Sequence, residues 1–163
     1  MYSCIVFKEV VEMKDSAHHE NQRRTWMGLL AKAPAGRVAA LLDAAISRPA
    51  FRWLRAPEIG SAMVRGRAGG TGAPFNLGEV TVTRCALTLE TGEVGHAYIQ
   101  GRRKLDAEAA AIVDALMQTS AADTLRTYVL EVIATEMDAA KAARAAKAAA
   151  TKVDFFTMVR GED

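Results

Sequence analysis

Apolar side chains recur every three or four positions in four parts of the chain, a spacing that predicts amphipathic helices. The predicted helices cover residues 20–33, 37–47, 105–118 and 123 to about 151. The first two are joined by Pro34-Ala35-Gly36, which predicts a helical hairpin. The second half of the last helix is rich in alanine, so it has a strong helix propensity but offers little side chain to pack.

Apolar and polar residues alternate over residues 79–90 and 93–100, which predicts two antiparallel strands joined at Thr91-Gly92. A two-residue turn there would place Tyr98 opposite Cys85 and bring His96 to the same face of the sheet. Arg84 would lie on the other face. Residues 51–66 predict one or two short strands, broken by a proline at position 57.

This order of elements predicts an α+β fold. It consists of an N-terminal helical hairpin, a small antiparallel β-sheet with a long Gly-rich loop, two C-terminal helices and an apolar C-terminal tail. We expect residues 1–19 to be a poorly ordered N-terminal extension and residues 20–163 to form a single domain. Whether Met1 or Met13 is the true start stays open.

The composition is that of an ordinary soluble domain, because half of the 163 residues are hydrophobic and a quarter are charged. The net charge of +2 does not indicate a nucleic-acid partner, and no apolar run is long enough to span a membrane. Two cysteines are too few for a disulfide framework, which predicts a cytoplasmic protein. The segment from residue 52 to residue 104 contains eight basic residues but only four glutamates. That excess suits an anionic ligand or an acidic partner, and equally a solvated face.

Residues 65–79 contain five of the 12 glycines and two arginines, and they are the main candidate site. Clustered glycines indicate a loop of specific shape, whose free N–H groups could bind phosphate or carboxylate beside the guanidinium groups. Neither common nucleotide-binding motif is present, because the segment lacks lysine and Phe75 occupies the third glycine position of the dinucleotide pattern. The alternative is a structural loop that docks against another chain. The candidate anion-binding residues are Arg65, Arg67, Gly69, Gly70, Thr71, Gly72, Asn76 and Glu79 in this segment, and Arg84 and Arg102 further along the chain.

Three of the polar candidates leave alternatives open. Glu79 could act as an acid, a base or a magnesium ligand, or could pair with Arg65, Arg67 or Arg84. Arg102 belongs to a basic junction, Gly101 to Lys104, that suits phosphate but is equally explained by solvation. Asn76 is most simply a turn residue.

No catalytic residue and no metal ligand set can be assigned from the sequence. His96 and Cys85 are expected to share a strand face, but a zinc site needs three or four ligands and this face offers no others. We therefore expect this pair to be structural and the chain to bind no metal.

The C-terminal tail is the second candidate. Phe155, Phe156 and Met158 form a short apolar stretch after the alanine-rich helix. Such a stretch either completes the core of its own chain or inserts into a neighbour. Because the preceding helix packs weakly, we expect these three residues to form a partner interface.

Several strings in the chain resemble the PhnG family, the G subunit of the bacterial carbon–phosphorus lyase core complex. The similarity spans roughly residues 20–163, and one departure is Arg103, where the family often has an acidic residue. The matching strings are Arg23-Arg-Thr-Trp-Met27, the complete segment from Arg65 to Glu79, Thr81-Val-Thr-Arg-Cys85, Gly95-His-Ala-Tyr98, Gly101-Arg102 and the segment from Lys152 to Asp163.

The resemblance implies a role in phosphonate utilisation. It implies assembly with H, I and J subunits, two copies of each, and a functional link to an L subunit. With the H, I and L subunits the chain would support synthesis of a ribose 1-methylphosphonate 5-triphosphate from MgATP and an alkylphosphonate, with displacement of adenine. The resemblance places S-adenosylmethionine and an iron–sulfur cluster in another subunit, and no cofactor in this one. This chain would be an accessory subunit that is not catalytic alone. The alternatives are that it contributes anion-binding residues to an interfacial active site, or that it is a free-standing anion-binding module.

Overall fold

The structure is a computed structural model that describes residues 20–152. The predicted N-terminal extension and the tail residues Phe155, Phe156 and Met158 lie outside the described residues. The helices are α1 (20–32), α2 (Arg37–Ala45), α3 (Lys104–Leu116), α4 (Ala122–Leu125) and α5 (Glu131–Ala150), with a π-helical turn, Arg126–Leu130, between the last two. The strands are β1 (Phe51–Arg67), β2 (Pro74–Leu89) and β3 (Val94–Gln100). The predicted α+β class is confirmed.

Helix α3 is the centre of the core. Ten of its 13 residues are buried, because it packs against the sheet and also against α2 and α4. Its many alanines allow a close approach to β3. A Cβ atom added at Gly95 would lie 1.9 Å from the carbonyl oxygen of Ala111. Only glycine fits at this crossing.

The three strands form one antiparallel sheet in the order β1-β2-β3. We call the side covered by α3, on which Cys85 lies, the inner face, and the opposite side the outer face. Tyr98 lies opposite Arg84 and His96 lies opposite Ala86. The predicted pairing of Tyr98 with Cys85 was therefore wrong by one residue.

The physical reason for this shift is the length of the β2–β3 turn. The Leu89 N–H donates to the Glu93 carbonyl over 2.9 Å, so the turn contains the three residues between them. Gly92, the last of the three, has a φ of 105°, which is typical of a three-residue hairpin loop with a glycine at its end. A shift of one residue moves every side chain of β3 to the other face.

Strand β1 is longer than predicted. It runs for 17 residues, and Pro57 lies within it instead of breaking it. Proline is tolerated because β1 is an edge strand, and register shifts between Trp53 and Arg55 and between Arg55 and Glu58 absorb the irregularity.

The last predicted helix is confirmed as one continuous helical segment from Ala122 to Ala150. Ile133 is the last fully buried residue along it, and residues 138–150 are all exposed within the described chain. None of the helices in residues 20–152 is long and apolar enough to cross a membrane.

Candidate functional site

The Gly-rich segment is the tip of a two-stranded arm. β1 pairs with β2 as far as Arg67 and Pro74, whereas β3 pairs with β2 no further than Val82. Residues 61–81 therefore continue past the third strand as a two-stranded β-ribbon. We call residues 59–81 the ribbon, so that it includes the two residues at its base. The predicted long loop is shorter than expected, because most of its residues are in strands and a turn between β1 and β2 remains.

Glycines give this turn its shape. Gly69 and Gly70 have φ values of 58° and 84°, a backbone conformation that other residues rarely adopt. The Gly72 N–H donates to the Ala68 carbonyl over 2.8 Å, and a Cβ atom on Gly72 would lie 2.6 Å from that oxygen. Thr71 completes the turn and is exposed.

Both arginines of the segment lie at this tip. A shallow concavity is lined by Arg65, Gly66, Arg67, Gly70 and Pro74. The two arginines are two positions apart in β1, so their side chains project to the same side. Arg67 Nη1 donates to the carbonyl of Gly72 over 3.2 Å, which closes the turn. Arg65 lies opposite Asn76 and forms no ion pair with residues 20–152.

The other three candidates are not part of this cluster. Glu79 lies opposite Met63, and the alternative that Arg67 pairs with Glu79 is wrong, because within residues 20–152 no such ion pair forms. Arg84 lies on the outer face of the sheet. Arg102 is at the base of the ribbon, where the N–H of the preceding glycine bonds to the Thr81 carbonyl.

The side chain of Arg84, on β2, forms hydrogen bonds with one side chain on β1 and one on β3. Its Nε donates to Glu58 over 2.6 Å and its Nη1 donates to the Tyr98 hydroxyl over 3.3 Å. The hydrogen bonds from Arg84 to Tyr98 and Glu58, in that order, raise the pKa of its guanidinium. Because the donors of Arg84 already bond to groups of the same chain, these contacts do not favour a role for Arg84 in anion binding.

Sequence reasoning missed the apolar character of the ribbon. The side chains of Ile59, Met63, Phe75 and Leu77 are 46, 52, 45 and 66% exposed. Residues 59–81 contain just three charged side chains, two arginines and one glutamate. That scarcity of charge was the available signal, because exposed strands are ordinarily charged or polar.

The ribbon is apolar on both faces. Ile59 lies opposite the buried Thr83, so it is on the inner face, and alternation along β1 brings Met63 to the same side. Phe75 packs on the opposite side, where a Cβ atom on Gly66 would lie 3.6 Å from its ring. Leu77 adjoins it there, with its Cβ 3.9 Å from the same point. A surface that contacts one face of the ribbon would therefore leave the apolar side chains of the other face exposed.

His96 and Cys85 do not lie together, contrary to the prediction. Cys85 is buried on the inner face, where its Sγ donates to the Ala107 carbonyl over 3.2 Å. Burial, with a smaller contribution from the charge of Glu108, raises the pKa of the Cys85 thiol to about 12. His96 is exposed on the outer face. Within residues 20–152, no three His, Cys, Asp or Glu side chains are grouped to hold a metal. The absence of a metal in the whole chain stays a prediction.

A buried carboxylate connects two of the strings that carry the family resemblance. Asp114 of α3 is fully buried and accepts four hydrogen bonds. Two come from Arg23, at 3.1 and 2.6 Å, one from Trp26 Nε1 at 2.9 Å, and one from the His96 N–H at 2.9 Å. These contacts join α1, α3 and β3. The string from Arg23 to Met27 and the string from Gly95 to Tyr98 thus have a structural role.

Comparison with known proteins agrees with the family resemblance of these strings. The family model described as phosphonate metabolism protein PhnG matches residues 21–161. A protein of Rhizobium meliloti (strain 1021), named alpha-D-ribose 1-methylphosphonate 5-triphosphate synthase subunit PhnG, is 49% identical over 142 residues. That alignment covers 87% of this chain and 91% of the relative. The chain therefore belongs to the PhnG family of phosphonate metabolism proteins.

Proposed function

We propose that the chain is an accessory subunit of a ribose 1-methylphosphonate 5-triphosphate synthase in organic phosphonate breakdown. The relative that carries this name is nearly half identical and aligned over most of both chains. In this proposal the partners are H, I and J subunits, two copies of each, with an L subunit acting alongside them in the cytoplasm. The complex uses MgATP as substrate. This chain holds no cofactor, and S-adenosylmethionine and the iron–sulfur cluster belong to another subunit.

The observation that supports the proposal is the ribbon, because it exposes apolar side chains on both faces. Fully burying a large apolar side chain contributes about 1.5–3 kcal/mol. The four most exposed large apolar side chains of the ribbon, Ile59, Met63, Phe75 and Leu77, are about half exposed. Covering them would therefore contribute about 3–6 kcal/mol to association. A surface of this kind is typical of an obligate subunit and not of a free-standing module.

The experiment is co-purification of tagged variants with co-expressed H, I and J subunits. Leu77→Asp introduces a charge at the most exposed of these four apolar side chains, so we expect recovery of the partners to fall at least tenfold. Leu105→Asp is the matched control, because Leu105 is a leucine of similar exposure, 72% against 66%, at the start of α3. Equal recovery for the two variants would overturn the proposal, as would a wild-type chain that stays monodisperse and binds none of the partners.

The tip of the ribbon supports a second role, in which Arg65 binds the triphosphate or the phosphonate at an interfacial active site. The two guanidinium groups, the glycine backbone and the concavity suit an anion. Arg65 is the better candidate of the two, because Arg67 already bonds to the carbonyl of Gly72.

Arg65→Lys tests this role, because it keeps the charge and removes the planar fork of donors. We expect normal assembly and an adenine release from ATP at least tenfold slower, since a charge-assisted hydrogen bond contributes about 1.5–3 kcal/mol. Arg84→Lys is the control, because Arg84 is bonded on the outer face of the sheet. Unchanged activity per assembled complex in Arg65→Lys would show that the tip does not bind substrate.

A further inference from the structure

One edge of the sheet is partly occupied by hydrogen bonds from side chains. The carbonyl of Val94 on β3 accepts from Arg23 Nη2 at 3.1 Å and from Gln118 Nε2 at 2.9 Å. The N–H of His96 donates to Asp114 at 2.9 Å. Residues 94, 96, 98 and 100 point their backbone groups away from β2, and the carbonyl of Gln100 accepts from Arg103 Nε at 2.8 Å. Side-chain bonds therefore already occupy backbone groups at both ends of this edge, which makes it less suited to another strand than an open edge.

The opposite edge, β1, has no strand beside it within residues 20–152. The direction of its backbone groups follows from β2. The Thr81 carbonyl accepts from the Gly101 N–H at 2.8 Å, so Thr81 points its groups toward β3. Its neighbour Val82 then points toward β1, and its partner Gly60 points back toward β2. By the same alternation, Ile59, Ser61 and Met63 point their N–H and C=O groups away from β2, in the plane of the sheet and toward its open edge.

The two halves of this edge differ. The half from Phe51 to Glu58 is unsuited to pairing, because it contains Pro57, two register shifts and the charged side chains of Arg52 and Arg55. The half from residue 59 to residue 64 has no proline, no charge and a regular register with β2. Six residues is the usual length of a strand in a globular protein.

We propose that residues 59–64 of β1 form a docking edge, to which another subunit of the synthase adds an extended segment as a fourth strand. The inference rests on the proposed function and specifies how the ribbon is held. The added segment would bond to the outward groups of Ile59, Ser61 and Met63 and would have apolar residues at alternate positions, to cover the exposed side chains of Ile59 and Met63.

A second copy of this chain fits the edge less well. Antiparallel pairing of two copies about Ser61 would place Ile59 opposite Met63 and Pro57 opposite Arg65. Pro57 lacks an N–H, so the ladder would end after five residues. Such a dimer would also leave Phe75 and Leu77, which belong to β2, exposed.

The test is co-purification of Ser61→Pro with the H, I and J subunits, compared with Ser61→Val. Proline removes the outward N–H but no bond between β1 and β2, and an edge strand tolerates it there. Valine keeps the N–H and favours strand. We expect recovery to fall at least tenfold with Ser61→Pro and to be unchanged with Ser61→Val. Circular dichroism of each variant chain checks that it folds.

Amide exchange of the wild-type chain, alone and in the complex, gives a measurement that needs no variant. We expect the amides of Ser61 and Met63 to exchange at least tenfold more slowly in the complex, while that of Ala62, already bonded to β2, changes less. Equal protection in both states would overturn strand addition.

The outcomes separate the two proposals. If Leu77→Asp loses the partners while Ser61→Pro keeps them, the ribbon docks by its side chains and strand addition is wrong. If both variants keep the partners, the proposed function itself is wrong. A dimer of the isolated chain in sedimentation that Ser61→Pro dissociates would show that a second copy occupies the edge.

Discussion

Replacing the buried Asp114 by asparagine should destabilise the chain, because this small change removes two of the four hydrogen bonds that the carboxylate accepts. Oδ1 accepts from Arg23 Nε and Trp26 Nε1, and Oδ2 accepts from Arg23 Nη2 and the His96 N–H. In Asp114→Asn one of these oxygens becomes an NH₂ group, which faces two donors whichever way the amide is turned.

The magnitude follows from these contacts. Hydrogen bonds to a charged group contribute about 1.5–3 kcal/mol each, so losing two costs about 3–6 kcal/mol. The side chain of Arg23 is 34% exposed and can bind water once its partner is neutral, which favours the lower end. We expect a loss of about 3 kcal/mol in the free energy of unfolding. For a domain of this size that is a fall of about 6–12 °C in Tm.

The assay is urea unfolding of the chain followed by circular dichroism, with thermal melts at the same pH. Asp123→Asn is the control, because its side chain is 95% exposed and its ion pair with Arg126 lies on the surface. Such pairs contribute about 0–1 kcal/mol. If Asp114→Asn unfolds within about 1 kcal/mol of Asp123→Asn, the carboxylate does not hold α1, α3 and β3 together as described.

Two further predictions concern the same core. Gly95→Ala should lower the free energy of unfolding by about 3 kcal/mol, since its methyl group would overlap the Ala111 carbonyl. Gly78→Ala, where a methyl group meets nothing within 4 Å, should change it by less than about 1 kcal/mol, and equal values in urea unfolding would contradict the packing. In a Cys4→Ser variant, Cys85 should react with Ellman's reagent at pH 8 only after urea unfolds the chain. With a pKa of about 12, its thiolate fraction at that pH is about one in 10,000, and rapid reaction of the folded chain would show that the thiol is accessible.

Local pattern was enough to predict the helices and the fold class. The spacing of apolar residues in residues 123–151 predicts one helix, and the structure has a continuous helical segment from Ala122 to Ala150. Helical periodicity depends on residues three and four positions apart in the sequence, so it can be recognised without knowledge of the tertiary structure. The strings that resemble the PhnG family were likewise visible in the sequence alone.

The register of the sheet and the buried face of β3 could be determined only from the tertiary structure. The turn after Leu89 has one residue more than the two-residue type, and that residue moved His96 and Tyr98 to the face opposite Cys85. Nothing in the alternation of residues 93–100 fixes which face is buried, because α3, packed against Gly95, decides it.

The candidate site was partly visible from the sequence. The glycines and the two arginines marked the tip of the ribbon correctly, because positive φ and clustered charge are local properties. The pairing of residues 59–67 with residues 74–83 was not visible, nor was the role of Asp114, which bonds to a side chain 91 positions away. Contacts of that kind depend on which helix covers which strand, and only the folded chain brings those partners within hydrogen-bond distance.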